Sequence, residues 1–380
     1  MTNISHYNSE NGRILLKLTL VKHEDLSYPI IIGSGILSAI SVDLKTRGIE
    51  GRLAIITDTN VLSLYGIRLE SELREAGFQA KTFVFAAGEE NKTLKTCEDI
   101  VNSMSAEGFG RDTTVIALGG GVVGDVAGFV ASGFNRGVPC IQIPTTLVAQ
   151  ADSAIGGKTG VDTKFGKNLF GAFKQPKAVY IDTAMLRTLP QKEYSCGLAE
   201  TVKHAVILDA GFFDYLEKGI ADITGQTDDA LLAVSEANCR IKKLVVEKDP
   251  EELGIRRILN FGHTVGHAIE KLGRYKIPHG YCVAIGVLVE SRIASEVTGF
   301  PKGDIKRVER LLGAFGLPTK MPESIGNEEV LSAAILDKKS ARGKARYALP
   351  IRIGQMAEFN GDYATYVEDS IVRNALSASR

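Results

Sequence analysis

The chain has 380 residues, 44% hydrophobic and 24% charged, a composition typical of folded globular proteins and not of disordered ones. Its 45 basic and 45 acidic residues balance, so no long-range field would attract nucleic acid or an anionic membrane. No apolar run approaches the roughly 18 residues of a membrane span, and the first residues lack the pattern of a signal peptide. We therefore predict a cytoplasmic protein. Five scattered cysteines without a CxxC pair predict buried free thiols.

The first half of the chain alternates short apolar runs with amphipathic segments, which predicts βαβ units and a parallel sheet. The predicted strands lie in residues 52–60, 81–90, 113–121, 138–146 and 178–183. Helical spacing is found between them in residues 61–77 and 95–108. Because ligands of such sheets bind at the carboxyl ends of the strands, we expect the binding residues in the loops that follow them.

The second half, from about Leu189 onward, has mainly helical periodicity. It is found in residues 192–208, 228–247, 260–270, 281–299 and 304–316. Residues 344–354 alternate like a strand and predict a small ribbon packed on the helices. We therefore predict an α/β domain with a parallel sheet over residues 1–186 and a mainly α-helical domain over residues 187–380.

A glycine-rich loop, "GGGVVGD" (residues 119–125), follows an apolar strand and precedes a predicted helix. Glycines there let backbone N–H groups approach a pyrophosphate, although a tight turn without a ligand would look the same. The loop does not follow the first strand, and the next strand ends without an acidic residue for a ribose. Asp58, or Glu89 with Lys92, would supply that acid instead. The alternative for either carboxylate is a loop cap.

A lysine-rich segment, residues 151–177, suggests an anion site in an otherwise neutral protein. Glycines beside its lysines would form tight turns that direct ammonium groups at phosphate or carboxylate, with Asn168 as a neutral donor. The alternative is a set of solvated surface charges. The lysines of the segment are Lys158, Lys164, Lys167, Lys174 and Lys177.

The dense histidine region consists of His263 and His267, one helical turn apart, and His279. A catalytic divalent ion is bound by about three protein ligands and keeps an open position. Glu200 is the leading carboxylate ligand. The alternatives are histidines buried in the core and a plain ion pair between Glu200 and Lys203. Spacing leaves open which two histidines bind.

Together, residues 117–177, 197–203, 254–270 and the "PHG" at 278–280 resemble the 3-dehydroquinate synthase family of the sugar-phosphate cyclases. The resemblance runs from about Ile32 to Gly354. It implies a Rossmann-like NAD-binding domain, a helical metal domain and a homodimer. The family converts 3-deoxy-arabino-heptulosonate 7-phosphate to 3-dehydroquinate and phosphate in the shikimate pathway. NAD oxidises a ring hydroxyl, phosphate is eliminated, the hydride returns, and an intramolecular aldol step closes the carbocycle.

Matching the family motifs residue by residue implies that Glu200, His263 and His279 bind zinc or cobalt. His267 would face the substrate and assist proton transfer. The resemblance places the substrate at Asp152, Lys158, Asn168, Lys203, Lys242, Arg256, Asn260 and His267. Of these, it implies catalytic roles for His267, Lys158, Lys203, Lys242, Arg256 and Asn260.

Two further arginines match contacts to phosphate. Arg136 matches one that reaches the substrate phosphate of the partner subunit, and Arg346 matches another phosphate contact. For NAD, the resemblance implies Asp58, Asn60, Glu89, Lys92, Gly121, Val122, Val123, Gly124, Asp125, Thr145, Thr146, Lys158, Lys167, Met185, Leu186, Arg187 and Thr188.

The chain departs from the family at two places. Tyr281 follows "HG" where Glu is usual, and "GFNRG" replaces the commoner approach to Arg136. Among the alternatives, an aminodehydroquinate synthase would use a nearly identical pocket. A metal-dependent polyol or alcohol dehydrogenase would need no lysine-rich phosphate site, and an NAD-binding sensor would need no acid, base or metal residues.

Overall fold

The computed structural model describes residues 12–20, 26–335 and 344–380. Its chain forms two compact units: unit 1 is Met1–Leu189 with Leu231–Lys243, and unit 2 is Pro190–Ala230 with Leu244–Arg380. The domain boundary at residue 186 stays a prediction. His6 and His23, expected at the surface, lie outside the described residues. All five cysteines are buried free thiols, as predicted.

Unit 1 is built on a mostly parallel sheet. The strands described in this unit are β1 (Ile14–Leu18), β2 (Tyr28–Gly33), β3 (Arg52–Asp58), β4 (Gln79–Phe85), β5 (Thr113–Gly119), β6 (Cys140–Pro144), β7 (Lys158–Thr163), β8 (Gly166–Phe173) and β9 (Ala178–Asp182). Seven of them form one sheet in the order β1-β2-β9-β6-β5-β3-β4. Only the β1–β2 pair in this sheet is antiparallel. The carboxyl ends of the parallel strands therefore share one edge.

Helices cover both faces of this sheet, which is why its strands read as nearly continuous apolar runs. They are α1 (Ile40–Thr46), α2 (Thr59–Val61), α3 (Ile67–Glu75), α4 (Leu94–Ala106) and α5 (Gly121–Gly133). In β3, Ile55 packs into one apolar cluster while Ala54 and Ile56 pack into the cluster on the opposite face. The predicted α/β architecture is confirmed.

Two parts of unit 1 differ from the prediction. Strands β1 and β2 were not predicted, and the lysine-rich segment, for which only tight turns were predicted, forms the antiparallel hairpin β7–β8. The hairpin is hard to predict because most of β8 is exposed and glycine replaces the branched residues that favour strands. A Cβ on Gly171 would lie 2.1 Å from the carbonyl oxygen of Thr159, so the two strands approach at glycine.

Unit 2 is mainly helical, as predicted. The helices described from residue 190 onward are α6 (Gln191–Leu208), α7 (Ala210–Lys218), α8 (Ile220–Thr224), α9 (Asp228–Lys248), α10 (His263–Leu272), α11 (His279–Val297), α12 (Lys302–Ala314), α13 (Asn327–Ile335) and α14 (Asp369–Ser377). The central part of α9, Leu231–Lys243, belongs to unit 1. Helix α11 is buried along most of its length and packs against α6, α10, α12 and α14. None of the helices in the described ranges is sufficiently long and apolar to cross a bilayer.

The predicted ribbon at residues 344–354 is split into two strands. β10 (Arg346–Tyr347) pairs with β13 (Thr365–Tyr366), whereas β11 (Pro350–Arg352) pairs with β12 (Gln355–Met356). Proline has no N–H group to donate, so Pro350 can begin a strand but cannot continue a ladder through its centre. The alternating pattern thus corresponds to two short two-stranded ribbons.

Candidate metal centre and glycine-rich loop

A buried carboxylate contacts two histidines in unit 2. Glu200 lies in the middle of α6, and its Oε1 is 3.3 Å from His263 Nε2 and 3.4 Å from His279 Nε2. Its other oxygen forms an ion pair with Lys203, one helical turn further along α6. The structure thus brings together four of the residues to which the resemblance assigns a site.

The two histidines are placed by the starts of their helices. His263 is the first residue of α10 and His279 the first residue of α11. Gly262, which precedes α10, has a φ of 80°, a left-handed conformation that suits glycine. The two helices pack backbone to backbone, because a Cβ on Gly286 of α11 would lie 1.9 Å from the carbonyl oxygen of Gly262. Both imidazoles are therefore held on closely packed helices.

A second group of possible ligands overlaps the first. The ligand atoms of Glu200, His263 and His279 lie within 4.8 Å of one another, and so do those of His267, Glu270 and His279. Glu270 Oε2 is 3.4 Å from His279 Nδ1. Glu270 was not predicted, although its position one helical turn after His267 could have indicated it. His279 is common to both groups.

Burial and neighbouring charges shift the pKa values of Glu200 and of its two histidines, and the two histidines shift in opposite directions. Burial alone would raise the pKa of Glu200, but Lys203 and His263 outweigh it and hold this pKa well below its usual range. Burial and Lys203 lower the pKa of His263 to about 3. Burial disfavours protonated His279 as well, yet hydrogen bonds to Glu200 and Glu270 raise its pKa to about 9. His263 is consequently a neutral imidazole, the form that binds metal ions.

These residues fit a divalent ion, provided that His279, whose pKa is raised to about 9, releases its proton when the ion binds. Two imidazole nitrogens and one carboxylate oxygen are a donor set typical of catalytic zinc sites, which keep one position open. The Nδ1 of His279 faces a carboxylate, as the second nitrogen of a metal-binding histidine commonly does. Glu200 is almost completely inaccessible to solvent, so a bound cation would offset the cost of burying its charge.

Two further predicted residues lie on the 3-10 turn Ile255–Asn260, which leads into α10. Arg256 is buried, its N–H donates to Asp249 at 2.9 Å, and its guanidinium donates to the carbonyl oxygen of Pro250 at 2.5 Å. The amide of Asn260 donates to Glu252 at 2.9 Å. Both side chains are therefore fixed within the same unit as the histidines.

Arg346, predicted to contact phosphate, forms an ion pair within unit 2. Its guanidinium lies 2.6 Å from Asp362, and Arg257 lies 2.6 Å from the same carboxylate. Burial opposes ionisation of Asp362, but the two arginines outweigh it and lower its pKa to about 2. The guanidinium of Arg346 is thus paired with Asp362, whether or not it also contacts a phosphate.

We expect Asp362→Asn to flatten the acid dependence of stability. The folded-state pKa of Asp362 lies below the ordinary value of about 3.9, so its contribution is fully present above pH ~4 and is lost towards pH ~2. Thermal unfolding of both proteins across that window measures the effect. The parent should lose more Tm between pH ~4 and ~2 than the variant; equal slopes would contradict the ion-pair account.

The glycine-rich loop in unit 1 forms a tight turn from β5 into α5. A Cβ on Gly119 would lie 2.5 Å from Val123, and one on Gly120 would lie 3.0 Å from Thr146. The N–H of Thr145 donates to the carbonyl oxygen of Gly119 at 2.9 Å. Side chains larger than hydrogen would thus disturb the turn, and the N-terminus of α5 follows it directly, as in anion-binding loops.

Asp58, predicted to bind NAD, is a helix cap in this structure. Its Oδ1 accepts the N–H groups of Asn60 and Val61, both at 2.9 Å, at the start of α2. Glu89 pairs with Lys167 at 2.9 Å. Asp58 therefore makes the capping contacts predicted from the sequence as the alternative to ribose binding.

Lys92 links the residues predicted to bind NAD with a residue predicted to bind the substrate. Its buried Nζ lies 2.5 Å from Asp125 on α5 and 2.5 Å from the side-chain oxygen of Asn168 on β8. Burial would lower the pKa of Lys92, but Asp125 and Glu89 outweigh it and raise this pKa. Asp162, not predicted, accepts the N–H of Asn168 at 2.8 Å.

Other predicted residues of unit 1 are more dispersed. Asp152 forms an ion pair with Lys242, whereas Lys158 is exposed at the start of β7. Arg136 is exposed in a turn where its own φ is 69° and that of Asn135 is 50°. Such left-handed conformations are uncommon outside glycine. Of the residues after β9, Met185 and Leu186 are buried, whereas Arg187 and Thr188 are exposed, in the turn Thr183–Thr188.

Tyr281, the departure next to His279, contacts α6. The Nζ of Lys192 lies 5.8 Å from the centre of the Tyr281 ring, a cation–π geometry. Gly280 separates Tyr281 from His279, and a Cβ there would lie 2.4 Å from the backbone of Cys196 on α6. The first turn of α11 is therefore packed tightly on α6.

Comparison with known proteins agrees with this geometry. Family models described as 3-dehydroquinate synthase N-terminal and C-terminal match residues 82–196 and 197–340. The 3-dehydroquinate synthase of Desulforamulus reducens is 45% identical over 88% of this chain and 93% of its own length.

Two solved structures share the fold. A 2-deoxy-scyllo-inosose synthase complexed with carbaglucose-6-phosphate, NAD+ and Co2+ is 25% identical, with a TM-score of 0.88 over 96% of this chain and 100% of that one. A 2-epi-5-epi-valiolone synthase from Streptomyces hygroscopicus with NAD+ and Zn2+ bound is 28% identical, with a TM-score of 0.83 over 92% and 96%. With both family models matched along one chain, the protein belongs to the 3-dehydroquinate synthase family.

Proposed function

We propose that this chain is a 3-dehydroquinate synthase that converts 3-deoxy-arabino-heptulosonate 7-phosphate to 3-dehydroquinate and phosphate. It would be a carbon–oxygen lyase of the shikimate pathway, which leads to chorismate and the aromatic amino acids. The observation that carries the proposal is the buried Glu200 group with His263 and His279, in a chain 45% identical to a relative of that name. The proposal also places the enzyme in the cytoplasm.

In this proposal Glu200, His263 and His279 hold zinc or cobalt. The ion, when bound, acts as a Lewis acid that polarises the substrate oxygens. Glu200 keeps its negative charge because Lys203 lies beside it. His267 stays off the metal and moves a proton, which is supported by the grouping of Glu200 with His263 and His279.

The cofactor proposal rests on unit 1. NAD, when bound there, would supply reversible hydride transfer and would not be consumed. The turn of residues 119–125 would admit the pyrophosphate to the N-terminus of α5. Lys92 and Asp125 would fix the loop, and Thr145, Thr146 and the residues Met185–Thr188 would line the cofactor.

The substrate proposal rests on the polar residues that the chain keeps. By the family resemblance, cyclases that take sedoheptulose 7-phosphate or glucose 6-phosphate generally alter the lysine, asparagine and arginine positions that this sequence keeps. Cationic and amide groups suit a substrate with both a carboxylate and a phosphate. The exposed Arg136 supports a homodimer in which each subunit contributes this arginine to its partner's substrate site.

We expect the metal-loaded protein with NAD to release phosphate from 3-deoxy-arabino-heptulosonate 7-phosphate, one phosphate for each 3-dehydroquinate formed. Sedoheptulose 7-phosphate and glucose 6-phosphate, which lack the carboxylate, serve as matched controls and should release little. Phosphate release and the carbocyclic product are measured together. Steady NADH production from a simple polyol, without phosphate release, would instead indicate a dehydrogenase. Turnover of only the amino analogue of the heptulosonate would indicate an aminodehydroquinate synthase.

A further inference from the structure

A buried carboxylate on α11 has no part in the proposed reaction. Glu290 lies in the apolar sequence "GVLVESRIA" and is inaccessible to solvent. Its Oε2 accepts the N–H of Gly262 at 2.8 Å, and its Oε1 accepts the N–H of Val265 at 3.0 Å. These two N–H groups lie on either side of His263 in the chain.

The contact replaces a helix cap that α10 lacks. The first N–H groups of a helix have no partner within it, and a side chain just before the helix commonly accepts one of them. Gly262 occupies that position in α10 and has no side chain to do so. Glu290 instead reaches from another helix and accepts two N–H groups with one carboxylate. Its negative charge also suits the positive end of the helix dipole.

The same face of α11 fixes how closely α10 approaches. Gly286 precedes Glu290 by one helical turn and contacts the backbone at Gly262 and Gly266. The glycine sets the separation of the two helices, and the carboxylate sets the position of the first turn of α10. Because His263 is the first residue of that turn, its imidazole is aimed at Glu200 by contacts made through the backbone.

We propose that Glu290 is a positioning residue for the metal ligand His263. It touches neither substrate nor ion, and it acts by holding the backbone on both sides of that ligand. The inference rests on the proposed function only insofar as His263 binds a metal ion, since the turnover of any particular substrate does not enter it.

The test is Glu290→Gln, which keeps the shape of the side chain. A carboxylate has only acceptor oxygens, whereas an amide must present its NH2 group to one of the two backbone donors. We expect Co2+ affinity to fall about 10- to 100-fold, the range typical of changes to groups that orient metal ligands. The visible spectrum of bound Co2+ should change, and kcat should fall more than KM rises.

Ser291→Ala is the matched control, because it removes a buried hydroxyl on the same helix that bonds only to Val287 within α11 in the described contacts. It should leave the Co2+ affinity and spectrum unchanged. If Glu290→Gln lowers the Tm of the metal-free protein but leaves the Co2+ affinity and spectrum unchanged, the residue is merely structural and the proposal is overturned.

Glu290→Asp decides the matter if the Gln variant does not fold. It keeps the charge but shortens the reach, so weaker Co2+ binding with an altered spectrum is expected, and parent-like binding would overturn the proposal. A failure of the proposed function looks different. The parent protein would then bind Co2+ yet release no phosphate, and the response of Co2+ binding to Glu290 would still be measurable.

Discussion

Replacing His263 or His279 by Ala is expected to abolish tight metal binding and to lower turnover about 1000-fold or more. Each variant removes one of the two imidazoles that lie within 3.4 Å of Glu200 Oε1. A Lewis acid contributes several kcal/mol of transition-state stabilisation, and each ~1.4 kcal/mol is a factor of ten in rate. Metal content per chain after dialysis and kcat under metal-saturated conditions measure the two effects.

His267→Ala should behave differently, although it lies one helical turn from His263. It should retain most of the metal and lose about 100-fold or more in rate, as expected when a proton-transfer group is removed. Equal metal loss in all three variants would contradict this division of roles. Metal loss in His267→Ala with retention in His263→Ala would assign the ion to His267, Glu270 and His279 instead.

Lys92→Met is expected to destabilise the protein by about 3–5 kcal/mol, the usual cost of leaving a buried charge without its partner. Lys92 is almost fully buried and pairs with Asp125 at 2.5 Å, so its loss leaves that carboxylate uncompensated on α5. It also removes the contact with Asn168 on the β7–β8 hairpin. The free energy of unfolding in urea measures the loss.

Lys95→Met provides the control for this experiment. Lys95 pairs with Glu98 and Asp99 on the same surface of α4, where solvent screens the charges. Its replacement should leave stability nearly unchanged. A Lys92→Met protein as stable as the parent would show that Asp125 is not held by this ion pair. Restored stability in the double variant Lys92→Met, Asp125→Leu would support the pairing directly.

The sheet was predictable where its strands are buried on both faces. Strands β3, β5 and β6 are continuous apolar runs that end in polar or glycine-rich loops, and periodicity alone located them. The hairpin β7–β8 was missed because an exposed, glycine-rich ribbon has neither an apolar run nor a clear alternation. Its pairing depends on contacts with α5, such as Phe129 against Phe170, which no local pattern reveals.

The candidate metal centre was only partly predictable. Helical spacing placed His263 and His267 on one face, but the approach of Glu200 depends on how α6 packs against α11 and against the turn Ile255–Asn260. The family resemblance, and not the local sequence pattern, predicted that Glu200 lies beside His263 and His279. Glu290 could not be singled out from sequence, because its partners are backbone N–H groups 25 and 28 residues away.

The most direct test of the whole account is a reaction with far less NAD than substrate. Metal-loaded protein, a small amount of NAD and excess 3-deoxy-arabino-heptulosonate 7-phosphate are incubated, and 3-dehydroquinate, phosphate and NADH are followed together. We expect complete conversion, equal amounts of product and phosphate, and no accumulation of NADH. A reaction that stops when product equals the added NAD, with NADH formed in the same amount, would contradict it.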